Sequence, residues 1–261
     1  TTLWVTGSFD NPAGFAACLC AGFPFVGFLL SDSNKYIRYV GGLIGFVIVI
    51  AVILSQSRAG IMSIAFICFI LLNMKFFHKR WVKYLSLLCF ALLLSGCYWM
   101  KKDSADGRLL IWRCSVSMVK DAPWLGHGIG SFEARYMDYQ ADYFRQYGLN
   151  RYSMLADNVK HPFNEYLGVL LNFGFVGLLM ILALITLLIY CYKKHPCAEK
   201  RIAFYSLISI GVFSFFSYTF TYPFTWIVTF LCIIILTKEY IAKVFTCPII
   251  KNTVCIFILT E

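Results

Sequence analysis

At 261 residues, 60% hydrophobic and 14% charged, with a strongly positive mean hydropathy, the chain is too apolar for a soluble globular protein and reads as an integral membrane protein. Its net charge of +10 would suit nucleic acid, but the basic residues sort by loop, as membrane topology requires, and the sequence predicts no nucleic-acid partner. Of the 11 cysteines, Cys18, Cys20, Cys68, Cys89 and Cys232 lie in apolar runs and no C-x-x-C pair occurs, which argues for packing rather than a disulfide or metal framework.

In chain order, apolar runs long enough to cross a bilayer occur at Pro12–Leu30, Tyr39–Leu54, Ala59–Phe77, Trp81–Met100, Tyr166–Tyr192, Ile202–Thr219 and Phe224–Leu236, about seven spans. Pro24 predicts a kink in the first, tolerable where neighbours satisfy the freed carbonyl. In the second, Gly41 and Gly45 give a weak G-x-x-x-G packing signal. Lys35 and Arg38, Lys75 to Lys83, Lys193 to Arg201, and Lys238 with Lys243 all fall on one side, which the positive-inside rule assigns to the cytoplasm. By alternation the N-terminus, the Ser57–Arg58 turn, the segment from Lys101 to Lys160 and the Thr221–Tyr222 turn face outward. The expected fold is an all-α polytopic transmembrane bundle, a single membrane domain over 1–261 with one large helical periplasmic loop at 101–164. The chain opens at Thr1 without methionine, so it is expected to be the C-terminal portion of a longer protein. The tail from Val244 to Glu261, broken by Pro248 and Lys251, reads as interfacial or disordered.

Within the outer loop, Asp106 reads as a helix N-cap, with an apolar face of Leu109, Trp112, Val116 and Val119 and a stop before Pro123. Arg108, Arg113 and Lys120 lie off that face, so the helix could rest on the membrane surface. Gly126 to Gly130 reads as a flexible turn between two loop helices rather than a phosphate loop, with His127 in a mobile setting. Phe132, Tyr136, Tyr139, Tyr143 and Tyr147 place an aromatic stripe on a second helix, more suited to packing than to ligand. The stretch 150–160 reads as irregular, a possible lid. Cys114 is the one thiol well inside the loop. His161, Asn164 and Glu165 then stand where the next span begins; polar groups are costly near lipid, and this makes the segment a candidate reaction site.

Together, Phe9-Asp10-Asn11-Pro12, Ser57-Arg58-Ala59-Gly60, Gly107-Arg108 with Trp112, Pro123-Trp124-Leu125-Gly126, and His161-Pro162-Phe163-Asn164-Glu165 with Gly174 and Gly177 resemble the O-antigen ligase and O-antigen polymerase family in motif, order and topology. The resemblance runs from about Gly7 to Leu182. It implies a bacterial inner-membrane glycosyltransferase that moves a glycan from an undecaprenyl-diphosphate carrier to an acceptor hydroxyl on the periplasmic face. The acceptor would be lipid A core, a second glycan or a protein, and no metal or cofactor is expected. Arg58 and Arg108 match the arginines expected to hold the diphosphate, with Arg113 as helper; arginine suits this because its planar fork binds phosphate where charge builds up. His161 is the expected general base, since an acceptor hydroxyl is a poor nucleophile until its proton is removed. Phe163 stands where many relatives carry a second histidine. Asn164 and Glu165 are expected to orient the base or the sugar. Against these stands a transporter or assembly subunit, which would place polar groups near the bilayer midplane, often with inverted repeats; the sequence shows neither.

Overall fold

The computed structural model describes residues 6–246 except Asp10, residues 76–78 and Lys101. Asp10 of the first motif, the end of the third predicted span at Phe77, Lys101 and the tail beyond Thr246 therefore lie outside the described residues, as do the side chains of Lys75 and Lys243. Among the described residues the chain is helix and turn without strand.

The helices are α1 (Pro12–Gly22), α2 (Val26–Leu30), α3 (Lys35–Leu54), α4 (Arg58–Lys75), α5 (Arg80–Met100), α6 (Lys102–Asp121), α7 (Ser131–Tyr147), α8 (Glu165–Lys194), α9 (Ala198–Phe216) and α10 (Pro223–Thr246). Over its described residues each predicted span is mainly helix, the sixth running past the end of α9 at Phe216. Four segments are long and apolar enough by themselves to cross a membrane: Pro12–Leu30, Lys35–Leu54, Glu165–Lys194 and Pro223–Ile241. Arg58–Met74 is apolar but shorter. α9 carries Lys200, Ser206, Ser209 and Ser214 on buried positions and touches α1, α4, α8 and α10. Surrounded by protein, it has no need to be apolar on every face.

Pro24 shows how the first span tolerates its break. A proline has no N–H to donate to the carbonyl four residues back, that of Cys20. The Ser209 hydroxyl supplies the missing donor to Cys20 O at 2.7 Å, and Ser206 bonds the Ala21 carbonyl at 2.6 Å. Ser63 on α4 joins the same seam at 2.8 Å from both the carbonyl and the hydroxyl of Ser209. In α3, a Cβ on Gly41 would stand 2.6 Å from that of Leu29, so the first glycine of the G-x-x-x-G pair packs directly on α2.

The loop helices are held to α8 by an exchange of backbone bonds. Gly174 leaves helical geometry (φ 61, ψ −158) and opens the α8 ladder. The freed carbonyls of Leu171 and Asn172 accept from the amides of His127 (2.7 Å) and Gly128 (3.1 Å), and the freed amides of Phe175 and Val176 donate to Pro123 O (2.8 Å) and Trp124 O (3.2 Å). The approach is so close that a Cβ on Gly174 would lie 2.3 Å from the Trp124 carbonyl, and one on Gly126 would lie 2.6 Å from the α8 backbone. The predicted flexible turn is therefore pinned, because its donors and acceptors complete another helix's ladder.

Two further expectations are corrected. α6 begins at Lys102, so Asp106 is not a cap; it is buried inside the helix, 3.4 Å from the Tyr98 hydroxyl and 3.9 Å from Arg151. The buried face of α6 is Leu110, Ile111, Cys114 and Met118, packed on Phe132, Tyr136 and Leu171, while Leu109 and Val116 of the predicted face are exposed. The tyrosine stripe selects this face, since Phe132 and Tyr136, stacked on each other at 4.8 Å, pack against it. Cys114 is thereby sealed in, and burial pushes its thiol up to about 11. Tyr152, buried in the same core, ties down the 150–160 stretch that read as a lid.

At the end of the bundle where α8 stops, α9 starts and α10 approaches its own end, Lys200 pairs with Glu239 and Lys238 with Glu199 (2.6 Å), clasping α9 to α10. Basic residues of α9 and α10 thus meet at this end of the bundle.

Ser209→Ala should leave the Cys20 carbonyl bare and cost about 1 kcal/mol, within the range for polar contacts between membrane helices, read as a lower midpoint in thermal unfolding in detergent. Gly174→Ala should cost about 3 kcal/mol or more, because the obstacle is backbone and cannot swing aside. Its signature is new proteolytic cleavage between Asp121 and Ser131; wild-type resistance there would show that the crossing accommodates a Cβ after all.

Candidate active site

The end of the bundle opposite the ionic clasp gathers the groups that the sequence singles out. Asn164 caps α8, its Oδ1 accepting from the Leu167 amide at 3.0 Å. Glu165, in the first turn, accepts from the Phe220 amide at 2.8 Å and so ties α8 to the turn between α9 and α10. Just before them Phe163 takes a left-handed conformation (φ 52). Such backbone in a bulky residue costs about 1–3 kcal/mol and persists only where neighbours enforce it. Here Trp112 donates its indole N–H to Pro162 O at 2.9 Å, and the Phe163 ring lies 5.1 Å from the Arg108 guanidinium.

Arg58, at the start of α4, donates to the Ser104 hydroxyl at 2.7 Å, and Arg108 on α6 donates to Phe216 O at 2.7 Å. Both line a cavity of about 240 Å³ with Leu109, Trp112 and Phe216. Burial first, and the neighbouring Arg58 charge second, push Arg108 down to about 10, against the opposing pull of Tyr218. It therefore stays cationic at neutral pH, and two guanidiniums close enough to repel form a site that an anion would relieve. An almost wholly apolar cavity of about 670 Å³ shares Met62, Leu94 and Phe216 with the first and continues between α4, α5, α8 and α9.

His161 sits on the rim of the same end of the bundle, half-buried, with its ring stacked on Tyr218 (centroids 4.9 Å, planes at 26°), which also meets Phe163. Its nitrogens have no hydrogen-bond partner among the described residues. Burial holds its pKa below the ordinary imidazole value; Glu133 raises it and Lys160 lowers it, and these two pair with each other at 3.6 Å.

The other sequence candidates lie elsewhere. Arg113 is exposed on a different face of α6, bonded to the Tyr143 hydroxyl at 3.3 Å and set over Tyr152, so the structure does not bring it to Arg58 and Arg108. His127 is fully engaged: Nε2 faces Met118 O at 2.7 Å, and since a carbonyl only accepts, Nε2 carries the proton while Arg135 donates to Nδ1 at 3.0 Å. Neither nitrogen is left to take a proton from a substrate. The bonds found for Asn164 and Glu165 are to backbone, and they hold the first turn of α8 and its tie to the turn between α9 and α10.

Sequence reading passed over Tyr218, the Phe216 carbonyl, Ser104 and the role of Asn11, whose side chain receives the Tyr222 hydroxyl at 2.9 Å and donates to that of Tyr218 at 3.3 Å. The run Phe215 to Tyr222 carries the signal, a dense set of aromatics at an outer turn, but nothing in its spacing says which groups it meets. Among the described residues no three His, Cys, Asp or Glu side chains gather to hold a metal ion.

Compared with known proteins, residues 43–182 match the family model described as O-antigen ligase. No curated protein matches the chain. The matched stretch runs from α3 into α8 and includes Arg58, Arg108 and His161, but not the turn between α9 and α10.

Proposed function

The chain belongs to the O-antigen ligase family, and on that footing we propose that it is a membrane glycosyltransferase of the O-antigen ligase type, taking its glycan from an undecaprenyl-diphosphate carrier. Family membership makes it a multi-pass membrane enzyme of the ligase or polymerase class, acting on a lipid-linked glycan donor and an acceptor. The finer reading rests on one observation above others: the Arg58 and Arg108 pair lines a cavity that shares walls with the large apolar one, and His161 is joined to Arg108 through the Tyr218 and Phe163 rings.

That arrangement suits an amphipathic donor. The diphosphate sits at the arginine pair, where fixed cations stabilise the charge that grows on the leaving group. The polyprenyl chain runs into the apolar cavity among Phe66, Phe90 and Phe215. His161 takes the proton of the acceptor hydroxyl as its oxygen bonds to the anomeric carbon; the carbon–oxygen bond to phosphate breaks, undecaprenyl diphosphate leaves, and the imidazolium later gives its proton to solvent. Direct displacement inverts the anomeric centre. The Lys- and Arg-rich helix ends face the cytoplasm of a bacterial inner membrane and the rim faces the periplasm, where lipid A core is the acceptor.

The test is to express the full-length protein in a strain lacking its own ligase and to resolve the lipopolysaccharide on a gel at matched protein levels. The intact protein should restore the long-chain ladder. His161→Ala should slow transfer by about 10²–10⁴-fold, and Arg108→Lys by at least about tenfold, because an ammonium lacks the paired fork. An intact protein that restores nothing would move the acceptor to a second carrier-linked glycan or a protein.

The pH profile follows from the histidine. It must be neutral to accept a proton, and burial holds its pKa below about 6.5. Activity therefore rises with pH through a limb lying below 6.5; a limb at or above that value would separate His161 from the proton transfer.

A further inference from the structure

The turn from Phe216 to Tyr222 lies outside the family match, yet it touches each part of the site. Its Phe216 carbonyl accepts from Arg108 and its Phe220 amide donates to Glu165. Between them Tyr218 lays its ring along the imidazole of His161 and meets Phe163 edge-on at 5.3 Å (planes at 65°). The far end of the phenol is held as well, its oxygen accepting from Asn11 Nδ2, while Asn11 Oδ1 takes the Tyr222 hydroxyl and caps α1 at the Gly14 amide. The Tyr218 ring is thus fixed by Phe163 at its side and Asn11 at its tip.

We infer that Tyr218 is a positioning residue that sets the plane of the His161 imidazole through the stacked contact. The inference rests on the reading of His161 as general base. A histidine base needs an orienter, and the usual one, a carboxylate or carbonyl on the second ring nitrogen, occupies that nitrogen. Among the described residues His161 has no such partner. Stacking orients the ring by its face and engages neither nitrogen, so that one can serve the acceptor hydroxyl. The charged groups around the histidine are Glu133 on α7 and Lys160 beside it, paired with each other, with Arg108 beyond Phe163 and Tyr218. Tyr218 acts on the imidazole by covering it, not by charge.

The experiment measures undecaprenyl diphosphate released from the lipid-linked donor against pH, a readout independent of which acceptor is used, in proteoliposomes of the full-length protein. Tyr218→Phe keeps the flat face and should stay within about threefold of wild type. Tyr218→Leu removes it; misplacing the base should lower kcat by about ten- to a hundredfold with KM for the donor little changed, and uncovering the ring should move the acid limb to higher pH. Placed on His161→Ala, the same leucine substitution should cost nothing more, since the group it positions is gone. Tyr218→Met, which fills the space without a flat ring, replaces the leucine variant should that one fail to reach the membrane. Equal losses in Tyr218→Phe and Tyr218→Leu would overturn the inference in favour of the hydroxyl, and additive losses in the double variant would overturn it in favour of a separate role. Wild-type release by His161→Ala would instead remove the base itself, and the positioning role with it.

Discussion

The structure turns on a place where two stretches of backbone finish each other's hydrogen bonds. Buried amides and carbonyls must be paired, and opening a helix in an apolar setting exposes two of each. α8 opens at Gly174 and the segment from Pro123 to Gly128 supplies the four missing partners. Side chains are excluded from the crossing, so both Gly126 and Gly174 are demanded by contact as well as by positive φ. α6 and α7 are thereby joined to α8 through main chain, which fixes the cations on α6 relative to the histidine ahead of α8.

Within that frame the site is assembled from groups that would each be unfavourable alone. Arg108 is buried beside another guanidinium, and Phe163 is held in a conformation foreign to its type. Each strain is met locally: the guanidinium donates to a carbonyl and lies over an aromatic face, and the strained turn is gripped by an indole N–H. Charged groups gather at the two ends of the bundle, the site at one and the ionic clasp at the other, while the interior relies on serine hydroxyls to close the gaps left by Pro24. Such a division suits a reaction between a lipid-borne reactant and a water-borne one.

What the sequence made legible was periodicity. Helices over the apolar runs, the break at Pro24 and the two loop helices follow from hydropathy and proline chemistry. The face that α6 buries was not legible, because Leu109, Trp112 and Val116 have the right spacing but Leu110, Ile111, Cys114 and Met118 meet the tyrosine stripe. The glycine-rich segment misled for a related reason: glycines signal freedom when read alone and close approach when a partner is present. Arg58, Arg108 and His161 stood out as motif residues, and the structure draws Arg58 and Arg108 to one cavity with His161 nearby, but leaves Arg113 on another face. Tyr218 could not be singled out, since its importance comes from a contact across 57 positions of chain, from His161 to Tyr218, that no local rule encodes.

The break in α8 also divides that helix by length. From Phe175 to Lys194 it has the 20 residues, about 30 Å, that match the hydrocarbon thickness of a bilayer. The nine residues from Glu165 to Phe173 are surplus to that requirement, adding about 14 Å. What reads as one overlong span is a membrane-thick post carrying a short pedestal. His161 comes four residues ahead of that pedestal, and the proposed function uses the offset: it lifts the base clear of the membrane-length post, toward the sugar of its acceptor.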